Sequence, residues 1–428
     1  MVGDSHTNVT EGSKRVRVAI VGSGISGLVA ARGLHPEADV TVYEADARIG
    51  GHSHTVEVDL AGERHAIDTG FIVYNEKTYP NFTRLLADLE VETQPSDMSF
   101  GLSCEKSGLE WGSRGLRGVF AQPSNVFRGP FRNMLRDVIR FNRESTVLLD
   151  QADEKTTLGD YLAGAGYGEE FINHYVIPMG AAIWSADPSR FLGIPATTFV
   201  RFFYNHGLLE TPPSLSWRVI AGGSSRYVEK LASPFRDAIM TDCPVLSVRR
   251  AGLGVQISSR RGVEEFDRVV FAVHSDQALR LLSDASELEG KILSSIAYQE
   301  NEVFLHTDES LIPRRAAAQA SWNYLLPREE EGRVLVTYDM NRLQNLSGST
   351  RFLVTLNGAQ RIDPDKVLRR LVYHHPVLDT RAIEAQKWRS AISGKNRTHF
   401  CGAYWGHGFH EDGVASALEV CSEINKEA

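Results

Sequence analysis

The sequence is poor in cysteine, and its four cysteines form no pattern. Cys104, Cys243, Cys401 and Cys421 are scattered with no CxxC pair, which argues against both a disulfide framework and a zinc site and suits a reducing compartment. It lacks any run of about 18 apolar residues, so no segment is built to span a bilayer. Met1–Arg15 is polar and has no apolar core of a signal peptide; it reads as a disordered tail on a cytoplasmic protein. Positive charge is in deficit, with 46 Lys and Arg against 54 Asp and Glu and a formal net charge of −8, so nucleic acid is not the expected partner. Ser185 and Ser224 lie in no GxSxG, which leaves a hydrolase elbow without support. There is no internal repeat and no low-complexity segment. What remains is 428 residues, 42% hydrophobic and 23% charged, enough for two packed domains.

The first forty residues past the tail carry the clearest signal. Val16–Val21 is a β-branched apolar run of the kind that makes a buried parallel strand. It ends in Gly22-Ser23-Gly24-Ile25-Ser26-Gly27, a GxGxxG, and a helical pattern follows and stops before Pro36. A second strand, Asp39–Tyr43, delivers Glu44, 20 residues after Gly24. Gly22 permits the tight turn, Gly24 admits a pyrophosphate near the backbone, and Gly27 lets helix pack on strand. Phosphates meet the free N–H groups of the helix start, and Glu44 can accept from an adenosine ribose. The competing reading is a purely structural strand–helix turn, but strand, helix and acid all stand in place for a dinucleotide. An acid at this position disfavours a 2′-phosphate, leaving FAD or NAD rather than NADP. Gly164–Gly168 and Gly252–Gly254 lack the third glycine and the strand–helix setting, so no second nucleotide fingerprint is present.

Ala45-Asp46-Ala47-Arg48-Ile49-Gly50-Gly51-His52 follows the acid directly. This segment resembles the second half of the fingerprint of the flavin-containing amine oxidase and phytoene desaturase superfamily, in which the acid is followed by a basic residue and paired glycines. His52 stands where those proteins usually have Arg, so phosphate neutralisation is weaker there or falls to Arg48. Further segments extend the resemblance in the family's order. Ile67-Asp68-Thr69-Gly70-Phe71 looks like the strand and turn near the isoalloxazine, and Trp217–Tyr227, with Gly222-Gly223, like the tryptophan and double-glycine segment leading into a helix. Cys243–Val248, Val255–Ile257 and Phe266–Ala272 read as three strands, with the backbone of Val245 meeting the adenine. Thr398–Trp405, with Gly402 and Ala403, leads to Asp412-Gly413-Val414, which looks like the closing flavin motif and its helix.

The resemblance implies an FAD-dependent oxidoreductase of α/β class. Its fold would be a split Rossmann-like FAD-binding domain, glutathione reductase-like, over residues 16–80, 215–290 and 385–428. A mixed-sheet and helical substrate domain, 81–214 and 291–384, would be inserted in it. FAD is expected to be noncovalent, because Cys401 lies in a strand-like setting. The implied FAD residues are Gly22, Ser23, Gly24, Ser26, Gly27, Glu44, Ala45, Arg48, Gly50, Gly51, His52, Thr69, Gly70, Phe71, Val245, Gly402, Ala403, Asp412, Gly413 and Val414. Tyr404 with Trp405 could wall the flavin face, and His410 could take a proton while hydride leaves the substrate; the catalytic candidates are thus His410 and Tyr404. The alternative for His410 is a histidine that satisfies backbone groups in a turn. His52 and His54, with Glu57 nearby, could suggest a metal site, since alternation puts the two histidines on one side of an extended strand. But the stretch overlaps the flavin fingerprint, no further ligands cluster beside it and no metal is expected.

From Trp111 to Arg143 there are seven arginines and one acid, Asp137. Arg128, Arg132, Arg136 and Arg140 recur every four residues along one helix face, with Phe127, Phe131, Met134, Leu135, Val138, Ile139 and Phe141 filling much of the rest. Such a segment, Arg128–Arg143, fits a membrane interface facing anionic lipid, at the inner face of the membrane; the alternative is an ordinary amphipathic helix whose arginines pair with acids of the fold. The Gly-Gly-His start, the His399–Tyr404 segment and the Gly408–Gly413 turn resemble one bacterial branch associated with lipid-modifying operons that include cyclopropane fatty acid synthase-like methyltransferases. That likeness implies desaturation of a fatty-acyl or phospholipid-bound chain, with a lipid methyltransferase as a partner. The rivals are an amine oxidase acting on a small amine and a flavin-binding electron-transfer or scaffold protein without its own substrate.

Overall fold

The computed structural model describes residues 15–60, 62–150, 153, 155–210, 215–329 and 332–427. All but one residue of the stretch read as a tail lies outside them. Arg15, the exception, is tied down: its guanidinium donates to the carbonyls of His35, Pro36 and Ala38 at 2.6, 2.7 and 3.0 Å, satisfying the C-terminal end of the first helix.

A five-stranded parallel sheet is assembled from distant parts of the chain. Its order is Ile239–Met240, Asp39–Tyr43, Arg17–Val21, Arg268–Phe271 and Thr398–Phe400. Val18, Ala19, Ile20, Val269, Val270 and Phe271 are fully buried, as strands covered on both faces must be. The first helix, Ile25–Leu34, packs against the closing helix, His410–Glu427, at the N-terminal side of which the chain returns to the sheet's carboxyl edge. On the other face lies an antiparallel meander, Val245–Ala251, Gly254–Ser259 and Gly262–Phe266. The sequence suggests three strands over 243–272; the structure has four, because Asp267 breaks the run between the meander and the parallel strand. Asp267 instead receives the Arg17 N–H at 2.8 Å.

A seven-stranded mixed sheet stands beside this unit. Its order is Val367–Pro376, Tyr298–His306, Leu353–Leu356, Val336–Asp339, Trp322–Leu326, Phe100–Cys104 and Glu110–Gly112. Every pairing is antiparallel except that of Trp322–Leu326 with Phe100–Cys104. Its longest strands, Val367–Pro376 and Tyr298–His306, pair along their length. Helices Gly129–Glu144, Leu158–Gly164, Ile177–Trp184 and Ala196–Asn205 pack with this sheet into one apolar core. Among the described residues, no helix is long and apolar enough to cross a membrane.

Candidate active site

A cavity of about 730 Å³ runs between the carboxyl edge of the parallel sheet and the large mixed sheet. One end is built from backbone. Gly22 sits at φ +100°, where a Cβ would lie 2.8 Å from the Ala272 carbonyl oxygen, and a Cβ on Gly27 would overlap the Gly22 carbonyl. Only glycine fits either place. Gly24 begins the first helix and no side chain caps it, so the first N–H groups of that helix are left for a ligand. A Cβ on Gly24 would meet nothing within 4 Å; it would occupy the cavity itself.

The second glycine pair is zipped onto this turn. Gly50 N–H donates to the Ser23 carbonyl at 2.9 Å, and Phe71 N–H to the His52 carbonyl at 2.8 Å. Glu44, at the end of the neighbouring strand, accepts from the N–H and hydroxyl of Ser23 and from Asp46 N–H. Arg48 lines the same end, and its Nη1 is buried without a hydrogen-bond partner. A buried donor cation with no acceptor calls for one, and a pyrophosphate beside an uncapped helix start answers it. The residues present therefore fit the FAD pyrophosphate and ribose.

Most residues implied by the family resemblance lie on this wall: Gly22, Gly24, Ser26, Glu44, Ala45, Arg48, Gly50, Gly51, His52, Thr69, Gly70, Phe71, Val245, Gly402 and Ala403. Five lie behind it. Ser23 is buried and holds Glu44. Gly27 packs on Gly22, and Gly413 on Ser26 and Ile25. Val414 belongs to the core. Asp412 turns back to accept the Phe409 N–H at 2.9 Å, because the closing helix starts at His410, two residues before the glycine turn suggests.

The catalytic candidates are both on the wall, in settings that sequence did not reveal. Tyr404 packs within the sheet core, its hydroxyl buried and unpaired, and burial holds that phenol protonated, well above its ordinary range. His410 stacks on Phe71 with ring centroids 3.6 Å apart. Its Nε2 contacts Ser53 Oγ at 2.9 Å and Tyr227 Oη at 3.1 Å, and Ser53 bonds Tyr227 in turn. Burial lowers the His410 pKa to about 3, so it is neutral. His52 faces Tyr373 and His375, with centroids 4.9 and 5.5 Å away. His54 does not line the cavity, but its Nδ1 meets Tyr373 Oη at 3.0 Å.

Four histidines were missed. His274 stacks on Tyr298 at 4.3 Å, and His374 lies 6.3 Å from it. Asn301 Nδ2 also donates to the Ser185 carbonyl and Asn301 Oδ1 accepts from Asn357 Nδ2, which fixes the amide; its 3.0 Å contact makes His375 Nδ1 an acceptor. His375 thus carries its proton on Nε2. His206 does the reverse: Nδ1 donates to the Phe202 carbonyl at 2.9 Å, leaving Nε2 as the acceptor. Burial brings His206, His274 and His375 each down to about 4. The adjacent His374-His375 pair at the end of an alternating strand was the one signal available, since alternation sends one of such a pair inward.

The other end of the cavity is built from side chains, among them Phe100, Met179, Ile183, Trp184, Phe202 and Trp322. Among the described residues, the only Asp, Glu, Lys or Arg lining the cavity are Glu44, Asp46, Arg48 and Arg280. The first three stand at the glycine turn, and Arg280 on the helix beside the Val245–Ala251 strand.

The family model of flavin-containing amine oxidoreductases matches residues 25–425, and the chain belongs to that family. It is an FAD-dependent oxidoreductase. Solved structures with the same fold include a redesigned putrescine oxidase (TM-score 0.70, 14% identity, covering 96% of this chain and 99% of that one). A fatty acid isomerase from P. acnes that produces CLA aligns at TM-score 0.67 and 16% identity over 96% and 98%. Cyclohexylamine oxidase from Brevibacterium oxydans aligns at 0.66 and 18% over 97% and 99%. No curated protein sequence matches the chain significantly.

Proposed function

We propose that the protein desaturates a fatty-acyl or phospholipid-bound chain, removing a hydride and a neighbouring proton to leave a C=C bond. Bound FAD supplies the hydride acceptor, and oxygen or another oxidant would restore it. The observation that carries this reading is the side-chain end of the cavity, aromatic and aliphatic with no charged group. A hydrocarbon chain gains there by burial, at roughly 25 cal/mol per Å². A protonated amine in the same place would lose its hydration and meet no carboxylate. Among the described residues no lysine lines the cavity, so the lysine-held water common in amine oxidases has no holder there. The fold also accommodates a fatty acid isomerase, and chemistry on acyl chains is compatible with it.

In this reading His410 is a positioning residue. Its Nε2 is engaged by Ser53 and Tyr227, and its ring braces Phe71. His206 also lines the cavity, with Nε2 as the acceptor facing the Thr78 hydroxyl at 3.3 Å, and is a second candidate proton acceptor. In this reading FAD is held without a covalent bond; none of the four buried cysteines lines the cavity. A lipid methyltransferase acting on the same chains is the partner that the sequence resemblance implies.

The test is anaerobic titration of the yellow protein with phospholipids carrying monounsaturated or methyl-branched chains. Flavin bleaching together with loss of two hydrogens from the acyl chain is expected, and Ile183→Glu should abolish it while leaving the protein yellow. Bleaching by putrescine or cyclohexylamine but not by lipid would transfer the protein to the amine oxidases. Bleaching by neither would make it an electron carrier without a substrate of its own.

A further inference from the structure

The arginine helix, Gly129–Glu144, has two faces in different surroundings. Its inner stripe of Phe131, Met134 and Phe141 is buried in the core, so the apolar side read from the sequence is not available to a membrane. Arg140 is engaged as well, donating to Glu144 at 2.9 Å and lying 4.3 Å over the Tyr167 ring. Arg143 pairs with the same Glu144.

The outer face differs. Arg128, Arg132 and Arg136 are exposed and make no ion pair among the described residues. At about 100° per residue, Ile139 falls between them on the same outward face; it is 69% exposed. Just before the helix stands Phe127 at 85%, and Leu116 is 78% exposed. The short helix Gly115–Val119, which carries Leu116, and the 3-10 turn Pro123–Phe127 both hang from one edge strand, Glu110–Gly112. Gln122 accepts from the Glu110 N–H and donates to the Gly108 carbonyl, Asn125 donates to the Glu110 carbonyl, and Gly118 packs on Gly112. That strand pairs with the one bearing Phe100, a wall of the cavity.

We infer that Leu116, Phe127 and Ile139, set among Arg128, Arg132 and Arg136, form a surface that docks on an anionic lipid bilayer. Large side chains this exposed are left uncovered by the described residues, and each can enter the headgroup region without disturbing the core. Unpaired guanidiniums beside them select a negative surface, although the whole chain carries net charge −8 and would be repelled without them. Both the apolar and the basic components are needed, since each alone gives weak attachment. The inference does not depend on the acyl-chain reading, because docking is measured without turnover.

Sedimentation of the intact flavin-loaded protein with phosphatidylcholine vesicles, with and without about 30% phosphatidylglycerol, tests it. Pelleting is expected with the anionic vesicles only and should fade as salt rises. Neutralising Arg128, Arg132 and Arg136 to Gln should weaken binding on the order of a hundredfold, at about 1 kcal/mol per charge. Phe127→Ser with Leu116→Ser should weaken it at unchanged charge. Retained flavin colour and circular dichroism would certify the fold of each variant. Failure of the parent protein to pellet, equal pelleting with neutral vesicles, or arginine variants that bind like the parent would each overturn the inference. So would a patch-dependent self-association with no vesicle binding, which would assign the surface to a second copy.

Discussion

The two ends of the cavity are built on different physical principles. At the nucleotide end the wall is backbone: a glycine turn, an uncapped helix start, and a second glycine pair hydrogen-bonded to the first. At the other end it is side chains, supplied by two helices and three or more strands of the large sheet. A backbone wall has one working geometry, because its N–H groups move only when the chain moves. A side-chain wall changes shape and polarity with each substitution while the chain stays in place. The same fold is accordingly found in solved structures whose names give chemically different substrates.

Gly27→Val should give the largest effect of any change that sharpens this contrast. The new side chain would drive into the Gly22 carbonyl, and overpacking of this kind costs about 3 kcal/mol. The variant is expected to purify colourless with a clearly lowered Tm; a yellow protein of unchanged Tm would show that the close approach is not required. Next is Arg48→Ala. Loss of a charge-assisted hydrogen bond costs about 2 kcal/mol, a roughly thirtyfold rise in the Kd for FAD. Flavin release followed by fluorescence would measure it. An unchanged Kd would mean that the buried Nη1 finds no phosphate, and the polar end would have to be redrawn.

The backbone end was the legible one. A turn that needs Gly22, Gly24 and Gly27 leaves its signature within six residues, and Glu44 is fixed by the length of one helix and one strand. Direction was less legible than position. Ser23 and Asp412 stand in the right segments, but one side chain turns to Glu44 and the other back to Phe409. The side-chain end left almost no trace, because Phe100, Trp184, Phe202 and Trp322 meet only after elements far apart in sequence have packed. The arginine helix lies between these cases. Its period was visible, whereas which apolar residues would be covered depended on Phe171, Phe199 and their neighbours, residues from other helices.

His410 joins the two ends, and the smallest effect expected concerns it. Its imidazole is buried and neutral, with a pKa of about 3 in the folded protein against about 6.5 in the unfolded chain. The folded state therefore refuses a proton that the unfolded state accepts as pH falls below about 6.5. Stability is lost from there down to about pH 3, and this one group accounts for about 2 kcal/mol of that loss by pH 5. His410→Gln keeps a polar partner for Ser53 and Tyr227 but cannot titrate. Denaturant melts at pH 7.5 and pH 5 should show the variant losing about 2 kcal/mol less than the parent over that interval. Equal losses would mean that water reaches the ring and that burial does not hold it neutral. Turnover distinguishes the two roles further. A brace on Phe71 leaves the pH profile of kcat unchanged in shape when replaced by Gln, whereas a proton acceptor removes a limb of it.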